Sequence, residues 1–354
     1  MTLRAFTFVP YRLPFRQQWR SAAGGLDQRE GWLVRLEDED GGYGYGDCAP
    51  LPGIGTEPPA AAAAALAQWQ QRFRGQEAAA ALEALNDPAS FDTPAARAGV
   101  ESALLDLLAR RNGRSLNASI RGCDCRQRVR VNASLGSLGP HTADSLESAL
   151  EAGFQVLKLK IGLAPASQEI HLVQDLCQRL PAGSTLRLDA NRAWQEGDAR
   201  SWLDALAGLP IDALEEPLAQ PSAPAWAALQ VRAAFPLALD ESLADLPQAA
   251  LFDGTVRRLI LKLPRLGGFL PAVALAQRFA AAGGDCVVTS SLESACGLLA
   301  AAHLAAALGG DLAHGLATAE WLATDLGAPP PIAAGYLTLP SGAGLGFLPF
   351  ATPA

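Results

Sequence analysis

Lysine is nearly absent from this chain, and the few lysines that remain are placed where they could transfer protons. Among 28 lysines and arginines, only Lys158, Lys160 and Lys262 are lysine. Arginine stays protonated in proteins, whereas the pKa of a lysine in a constrained site can fall until the amine acts as a base. Neighbouring ammonium groups and a metal ion would lower that pKa further. The retained lysines therefore predict acid–base chemistry.

Three acidic residues could hold the metal ion. Asp189, Glu215 and Asp240 each stand near the end of a short apolar run, in TLRLDAN, IDALEEP and PLALDES. Carboxylate oxygens suit Mg²⁺, with Mn²⁺ as a possible substitute, and Mg²⁺ keeps waters that a substrate can displace. Apart from His314, no histidine or cysteine is expected to compete. One such acid alone would be an ordinary surface or cap residue, but three at successive runs predict a metal site.

The strands and helices that must position these residues can be predicted from a repeat of short apolar runs. From about residue 129 onward, eight short apolar runs recur, each followed by a helical stretch. One polar residue marks the end of each run, in steps of 22 to 29 residues: Ser134, Lys160, Asp189, Glu215, Asp240, Lys262, Ser290 and His314. Such spacing is typical of βα units, and eight units predict an α/β fold with a (β/α)₈ TIM-type barrel. We expect the barrel at 121–324 and an α+β capping domain at 1–120, to which 325–354 would return.

Strand alternation directs the lysines into the barrel. Successive side chains of a strand point to opposite faces, so Leu157 and Leu159 would meet the helices while Lys158 and Lys160 point inward. The same count directs Lys262 inward from the opposite side, with the three carboxylates between. Barrel enzymes hold their active sites at the C-terminal strand ends. The alternative is a purely structural layer of ion pairs, although burial disfavours such a layer and arginine would serve it equally well.

The N-terminal part predicts strands followed by helices. TLRAFTFVPYRLPF and GWLVRLEDEDGGYGYGD indicate a strand pair with a glycine-rich turn, and helical stretches follow near 57–75 and 94–111. Asp92 or Thr93 is expected to cap the second helix, with Pro94 in its first turn.

Composition limits the partners and the compartment. The net charge is −8 and no basic run is visible, which argues against nucleic acid and anionic membrane surfaces. The most apolar segment, CGLLAAAHLAAAL, is shorter than the ~20 residues of a membrane span, and the N-terminus lacks a signal-peptide core. Six cysteines form no C-x-x-C pair, and Cys123-x-Cys125 fits no zinc or redox motif. We expect a cytoplasmic protein; its oligomeric state stays open.

The motifs, taken in order, resemble the muconate-lactonizing subgroup of the enolase superfamily. They are K-x-K, D-A-N, E-E-P, D-E-S and K-L-P-R-L-G-G, together with GDCAPLPGIGTE in the N-terminal part. The resemblance covers nearly the whole chain and implies an enolase-like fold. LRLDANRAW, TSSLESACGLLAAAHLAAAL and HGLAT are less specific, and they resemble the o-succinylbenzoate synthase family, the dehydratases of menaquinone biosynthesis.

The resemblance implies a role for each site residue. The Mg²⁺ ligands would be Asp189, Glu215 and Asp240. Lys160 would be the base that removes the proton α to the carboxylate of a small-molecule substrate, and Lys158 would neutralise that carboxylate. Lys262, on the other face of the ring, would stabilise the enediolate. Lys160 would then return its proton to the leaving hydroxyl.

Supporting contacts follow from the same resemblance. Arg187 and Asn191 would support the metal site, and Glu216 would point outward. The substrate pocket would be lined by Gly267, Gly268, Ser290 and Ser291. The loop 17–25 would close over the substrate, where Arg20 would either contact it or lie in solvent.

Other functions stay open. Lysines on opposite faces also suit the 1,1-proton transfer of N-acylamino acid racemases and dipeptide epimerases. The D-x-D motif expected of the epimerases is missing, because the end of the barrel reads HGLATAEW. Muconate cycloisomerase is disfavoured because it works with Mn²⁺ and a different pocket. A catalytically silent barrel used as a binding scaffold is the non-enzymatic alternative, and the complete lysine and carboxylate sets argue against it.

Overall fold

Three antiparallel strands open the chain in the computed structural model, which describes residues 1–21, 24–122 and 126–350. They are β1 (Leu3–Ser21), β2 (Gly24–Asp38) and β3 (Tyr43–Cys48), paired in the order β1-β2-β3. Part of the glycine-rich segment that we predicted as a turn lies inside β3. A Cβ atom on Gly46 would stand 1.9 Å from the carbonyl oxygen of Gly99, so glycine is needed for the close approach of a helix.

Four helices follow this sheet. They are α1 (Pro59–Phe73), α2 (Ala78–Ala84), α3 (Pro94–Arg111) and α4 (Leu116–Arg121). Pro94 begins α3 as predicted, but the side chain of Thr93 makes no capping hydrogen bond. The carboxylate of Glu57 instead accepts from the N–H groups of Ala95 and Ala96, at 3.0 and 2.8 Å. A loop distant in sequence therefore accepts the hydrogen bonds of the N–H groups in the first turn of this helix.

A short strand, β4 (Arg128–Arg130), precedes a second sheet of seven parallel strands. In chain order, and in the same order across the sheet, these are β5 (Ala133–Ser137), β6 (Val156–Lys160), β7 (Thr185–Asp189), β8 (Ile211–Glu215), β9 (Leu237–Leu239), β10 (Arg258–Leu261) and β11 (Asp285–Val288). The helices are α5 (Thr142–Glu151), α6 (Ala166–Gln178), α7 (Glu196–Leu206), α8 (Ala223–Arg232), α9 (Leu263–Leu266), α10 (Phe269–Ala281) and α11 (Ala295–Leu308). Two 3₁₀ turns, Glu241–Ala244 and Gln248–Leu251, replace an α-helix after β9.

The eighth predicted run is not a continuous strand. Its residues make single parallel bridges on both sides, His314 with Val131 and Gly315 with Thr289. The N–H group of Gly315 donates to the carbonyl of Val288 at 2.9 Å. This segment links the two edges of the seven-stranded sheet, so the α/β part of the molecule is curled and barrel-like.

The predicted orientation of the strand side chains is confirmed on the helix-facing side. Leu157 and Leu159 are fully buried in one core with Val173 and Leu176 of α6. The inner face of the sheet carries a separate small cluster of apolar residues: Ala213, Ala238, Ile260 and Val287. The leucines thus hold the helices, and the alternate positions face the interior.

The last part of the chain contacts both halves. Strands β12 (Ile332–Ala333) and β13 (Tyr336–Thr338) pair with β4 in the order β12-β13-β4. Further on, the N–H of Leu345 donates to Asp106 at 2.6 Å, and Arg110 donates to the carbonyl of Phe347 at 3.0 Å. The return of residues 325–354 to the N-terminal domain stays a prediction.

Two features considered in the sequence analysis, membrane-spanning helices and cysteines, can be examined in the described residues. Over those residues, no helix is both long enough and apolar enough to span a membrane. Cys48, Cys177, Cys286 and Cys296 are free thiols. The Cys123-x-Cys125 pair lies outside the described residues.

Candidate active site

The strand register brings the predicted lysines and carboxylates to one edge of the sheet. Lys160 at the end of β6 pairs with Asp189 of β7, and Asp189 pairs with Glu215 of β8. Asp240 directly follows β9, whose Ala238 pairs with Glu215. Because the strands are parallel, these side chains all stand at the C-terminal edge, where barrel enzymes hold their active sites.

Lys158 is bound between two carboxylates. Its Nζ atom lies 2.9 Å from Oδ2 of Asp189 and also contacts Oε2 of Glu215. Burial favours the neutral amine, but the charges of Asp189 and Glu215 outweigh it and raise the pKa of Lys158. Lys158 is therefore held as a cation.

Lys262 is anchored in a similar way. Its Nζ lies 2.5 Å from Oδ2 of Asp240, and the guanidinium of Arg265 lies 2.7 Å from Oδ1 of the same carboxylate. Burial would raise the pKa of Asp240, but Lys262 and Arg265 outweigh it and hold that pKa well below its usual range. These contacts fix Lys262 at the edge of the site.

Lys160 differs from the other two lysines. No hydrogen bond or ion pair joins its ammonium group to any residue that the structure describes, and its one close partner is the ring of Trp19, with Nζ 5.4 Å from the centroid. Burial lowers the pKa of Lys160; Asp189 opposes this effect, and the charges of Lys158 and Lys262 add to it. The structural alternative of an ion-pair layer therefore describes two of the three lysines but not Lys160.

The donor set fits a hard cation. Within the described ranges, no three acidic, histidine or cysteine side chains already surround one point. Lys158 contacts both Asp189 and Glu215. Nevertheless, Oε2 of Glu241 is buried and has no hydrogen-bond partner among those residues. Burial raises the pKa of Glu241, and Asp240 and Asp189 raise it further. Crowded carboxylates with an unpaired buried oxygen suit a divalent cation such as Mg²⁺.

A cavity of about 340 Å³ opens above these charges. One end is lined by charged residues that include Lys158, Lys160, Asp189, Asp240 and Lys262. The rest of the lining is mainly apolar and includes Trp19, whose ring lies against Lys160, with Leu26, Leu51, Ile54, Leu292 and Trp321. The cavity can therefore take a molecule with a polar head and an apolar body.

Some predicted pocket residues line this cavity. Asn191, Ser290 and Ser291 do so. The N–H of Asn191 donates to Asp189 at 3.1 Å, and its amide donates to Glu241 at 3.1 Å, so Asn191 ties two acidic side chains together. The Oγ of Ser291 is buried without a partner in the described residues, whereas Oγ of Ser290 donates to Glu293 at 2.6 Å.

Other predicted residues lie elsewhere. Gly267 and Gly268 do not line the cavity; they pack against α3, where a Cβ atom on Gly268 would meet the carboxylate of Glu101 at 2.3 Å. Arg187 is buried and donates to Asp212 at 2.7 Å and to Asn132 at 3.1 Å. It precedes Asp189 by two residues on β7 and does not line the cavity.

Arg20 lies in β1, where its backbone pairs with that of Gly25 in β2. Its side chain lies outside the described residues.

A family model described as enolase C-terminal domain-like matches residues 141–349, more than half of the chain. The chain belongs to the enolase superfamily. A second model, described as the MenC N-terminal domain, matches residues 3–106. Together these matches agree with the motif resemblance over both parts of the chain.

Relatives within the superfamily differ in activity. An o-succinylbenzoate synthase from Thermosynechococcus vestitus is 31% identical over 241 residues, 66% of this chain and 67% of that protein. A hydrophobic dipeptide epimerase from Enterococcus faecalis is 28% identical over 302 residues, 84% of each chain. The solved structure of a dipeptide epimerase from Enterococcus faecalis V583, complexed with Mg and the dipeptide L-Leu-L-Tyr, has a TM-score of 0.86 and 25% identity, covering 98% of this chain and 99% of that one.

Sequence reasoning missed several side chains of this superfamily member's site. Trp19, Glu241, Arg265 and Trp321 all line the cavity. A signal existed for the two tryptophans, since QQWRS and AEW place a large aromatic residue in a polar loop. Glu241 and Arg265 lie inside the D-E-S and K-L-P-R-L-G-G motifs, which carried the resemblance, but the sequence analysis assigned them no role.

Proposed function

We propose that this chain is an o-succinylbenzoate synthase, which removes water from 2-succinyl-6-hydroxy-2,4-cyclohexadiene-1-carboxylate to give 2-succinylbenzoate. The observation that carries the proposal is the difference between Lys160, which has no carboxylate partner in the described residues, and Lys158 and Lys262, which are bound to carboxylates. One lysine is free to exchange a proton while two remain fixed cations. That division of roles suits a dehydration on one face of the ring.

The reaction follows from these three side chains. Lys160 Nζ takes the proton α to the substrate carboxylate, and the electron pair of the broken C–H bond moves into that carboxylate. The ammonium groups of Lys158 and Lys262, both largely buried, stabilise the negative charge as it develops on the substrate carboxylate. Lys160 then gives its proton to the hydroxyl on the same face, the C–O bond breaks, and water leaves as the ring becomes aromatic.

Asp189, Glu215 and Asp240 would hold Mg²⁺, with Mn²⁺ as a possible substitute. When bound, the ion supplies Lewis-acid stabilisation to the substrate carboxylate. Asn191 positions Asp189 through the hydrogen bond from its N–H group. Arg187, two residues before Asp189 on β7, contributes positive charge near Glu215.

The composition of the cavity lining favours a succinyl side chain over a dipeptide. Its acids among the described residues are Asp189, Asp240 and Glu241, all at the strand ends assigned to the metal, so no further carboxylate lines the cavity to pair with the ammonium group of a dipeptide. The hydroxyl of Ser291, which has no partner among the described residues, offers one hydrogen-bond donor. The match to the MenC N-terminal domain and the synthase relative point the same way.

The proposal includes the finer architecture. We infer a (β/α)₈ barrel at 121–324 in which the segment around Gly315 takes the eighth strand position, because it bridges towards both sheet edges. Residues 1–120 and 325–354 would form the capping domain.

Racemisation or epimerisation is the second candidate. Epimerase and racemase relatives at similar identity favour it, as does a second lysine, Lys262, across the cavity. Turnover of the cyclohexadiene substrate should be measured beside α-proton exchange on N-succinyl amino acids and dipeptides. We expect the dehydration to be faster. If only the exchange is seen, the synthase proposal is wrong; if neither reaction occurs and Mg²⁺ does not bind, the chain is a scaffold.

A further inference from the structure

Lys160 contacts an aromatic ring, whereas Lys158 and Lys262 contact carboxylates. The ammonium of Lys160 lies 5.4 Å from the centroid of Trp19, within the range of a cation–π contact. A carboxylate would raise the pKa of the lysine and tie up its proton. An aromatic face also stabilises the ammonium, but less strongly than a carboxylate and without accepting its proton, so the amine is more readily available as a base.

Trp19 is positioned by the strand ladder and by a tertiary contact. The register of β1 against β2 shifts between Pro14 and Trp19, and pairing resumes at Trp19 with Leu26. The ring of Trp19 also packs edge-on against Trp321, with centroids 4.8 Å apart and an angle of 90° between the planes. This contact joins the N-terminal hairpin to the segment that follows the eighth predicted run.

Residues on either side of Trp321 also contact the N-terminal hairpin. Phe15 forms a bridge with Leu322, and the N–H of Ala323 donates to the carbonyl of Pro14 at 2.8 Å. Arg16 donates to the carbonyl of Glu320 at 3.0 Å. These contacts hold the hairpin over the cavity, so the indole has a defined place beside Lys160.

We propose that Trp19 is a positioning residue for Lys160, holding the ammonium group over the substrate carbon through its aromatic face and excluding water from that side. This inference rests on the proposed function of Lys160 as the base. Trp321 acts on Lys160 only through Trp19, because its ring supports the indole.

The scarcity of lysine allows a direct test of the contact. Protein grown with ¹³C,¹⁵N-lysine should give three side-chain signals, since the chain holds three lysines. Lys158→Arg and Lys262→Arg assign them by the signal that each removes. The ε-methylene signal of Lys160 should be displaced by the ring current of Trp19. Trp19→Leu should remove that displacement, Trp19→Phe should keep part of it, and the signals of Lys158 and Lys262 should stay in place.

Kinetics then test whether the contact matters. Trp19→Leu should lower kcat about tenfold with a smaller change in KM, because a partly desolvated cation–π contact is roughly of that size. Trp19→Phe should retain most of kcat. Val9→Ala, at a 60% exposed position on the same strand, should change neither constant.

The outcomes separate this inference from the proposed function. A Lys160 signal that is the same in wild type and Trp19→Leu overturns the contact, whatever the activity. If the signal is displaced but Trp19→Leu leaves kcat unchanged, or changes KM alone, Trp19 only lines the pocket. Either result also overturns the inference. If the wild type abstracts no α-proton, the proposed function fails, while the spectra still decide the contact.

Discussion

The carboxylate of Glu216 accepts a hydrogen bond of 2.6 Å from the backbone N–H of Asp240. It also accepts from the N–H and the hydroxyl of Ser242, at 2.9 and 2.6 Å. Glu216 has a positive φ of 46°, which turns its side chain away from the cavity just after Glu215. One buried carboxylate therefore shapes the turn that presents Asp240.

Glu216→Gln should disturb that turn, because an amide N–H₂ would face donors that now meet an oxygen. We expect a loss of roughly 1–3 kcal/mol in the free energy of unfolding, typical of an unsatisfied buried group. Mg²⁺ binding should weaken about 10- to 100-fold, as for other partners of metal ligands. Calorimetric Mg²⁺ titration measures this, with exposed Glu39→Gln as the control. Unchanged Mg²⁺ affinity would show that Glu216 does not position Asp240.

Lys160→Arg should keep the charge and the fold but lose the base. The rate should fall by about 10²–10⁴-fold or more, the usual contribution of a general base, while the melting temperature changes little. Lys262→Arg should be milder in a dehydratase, because a fixed cation still stands beside Asp240. In a racemase both lysines transfer protons, and both variants should fail alike. Near-normal turnover of Lys160→Arg would refute its role as the base.

Activity should depend on a divalent cation. Chelator should abolish turnover and Mg²⁺ should restore it, because the carboxylates at this edge crowd together and leave Oε2 of Glu241 unpaired in the described residues. Asp240→Asn should weaken Mg²⁺ binding severely, while Asp253→Asn, at an exposed loop position, should not. Full activity in excess chelator contradicts the metal site.

The two neighbouring serines should respond differently to truncation. Ser290 donates to Glu293 and accepts from the N–H of Leu292 at 2.9 Å, so Ser290→Ala should destabilise the fold by roughly 1–3 kcal/mol. Ser291 has a buried hydroxyl without a partner in the described part of the chain, so Ser291→Ala should leave stability nearly unchanged and raise KM. Urea unfolding and steady-state kinetics on the pair measure both effects. Equal KM values for Ser291→Ala and wild type would remove Ser291 from the substrate contacts.

The free energy of unfolding should depend on pH through the titration of Asp47. Burial raises the pKa of Asp47 to about 6, although hydrogen bonds from Ser294 and Tyr11 favour the charged form. The unfolded chain, with a pKa of about 3.9, loses this proton first, so the contribution of Asp47 to stability is present below about pH 4 and is lost as the pH rises towards 6.

Asp47→Asn should remove this dependence. The difference in unfolding free energy between wild type and variant should fall by up to about 3 kcal/mol from pH 4 to pH 7. Urea unfolding at each pH measures it. A constant difference across that range would mean that Asp47 titrates alike in both states.

Much of the site could be read from local pattern. Strand alternation repeats every two residues, so the leucines of VLKLKIG had to pack on the helices and the lysines had to face inward. Parallel strands end at a common edge, so Asp189, Glu215 and Asp240 at successive strand ends had to stand near one another. These inferences need only neighbours in the chain and a repeating βα unit.

What the tertiary structure decided are the contacts between residues far apart in the chain. Glu57 caps α3, the glycines of β3 admit that helix, and Gly268 packs on Glu101 where a pocket contact was expected. The same holds for the difference between the lysines. No local pattern shows that Lys158 and Lys262 meet carboxylates while Lys160 meets an indole 141 residues away, because each partner arrives on another element whose place is set by packing of the whole chain.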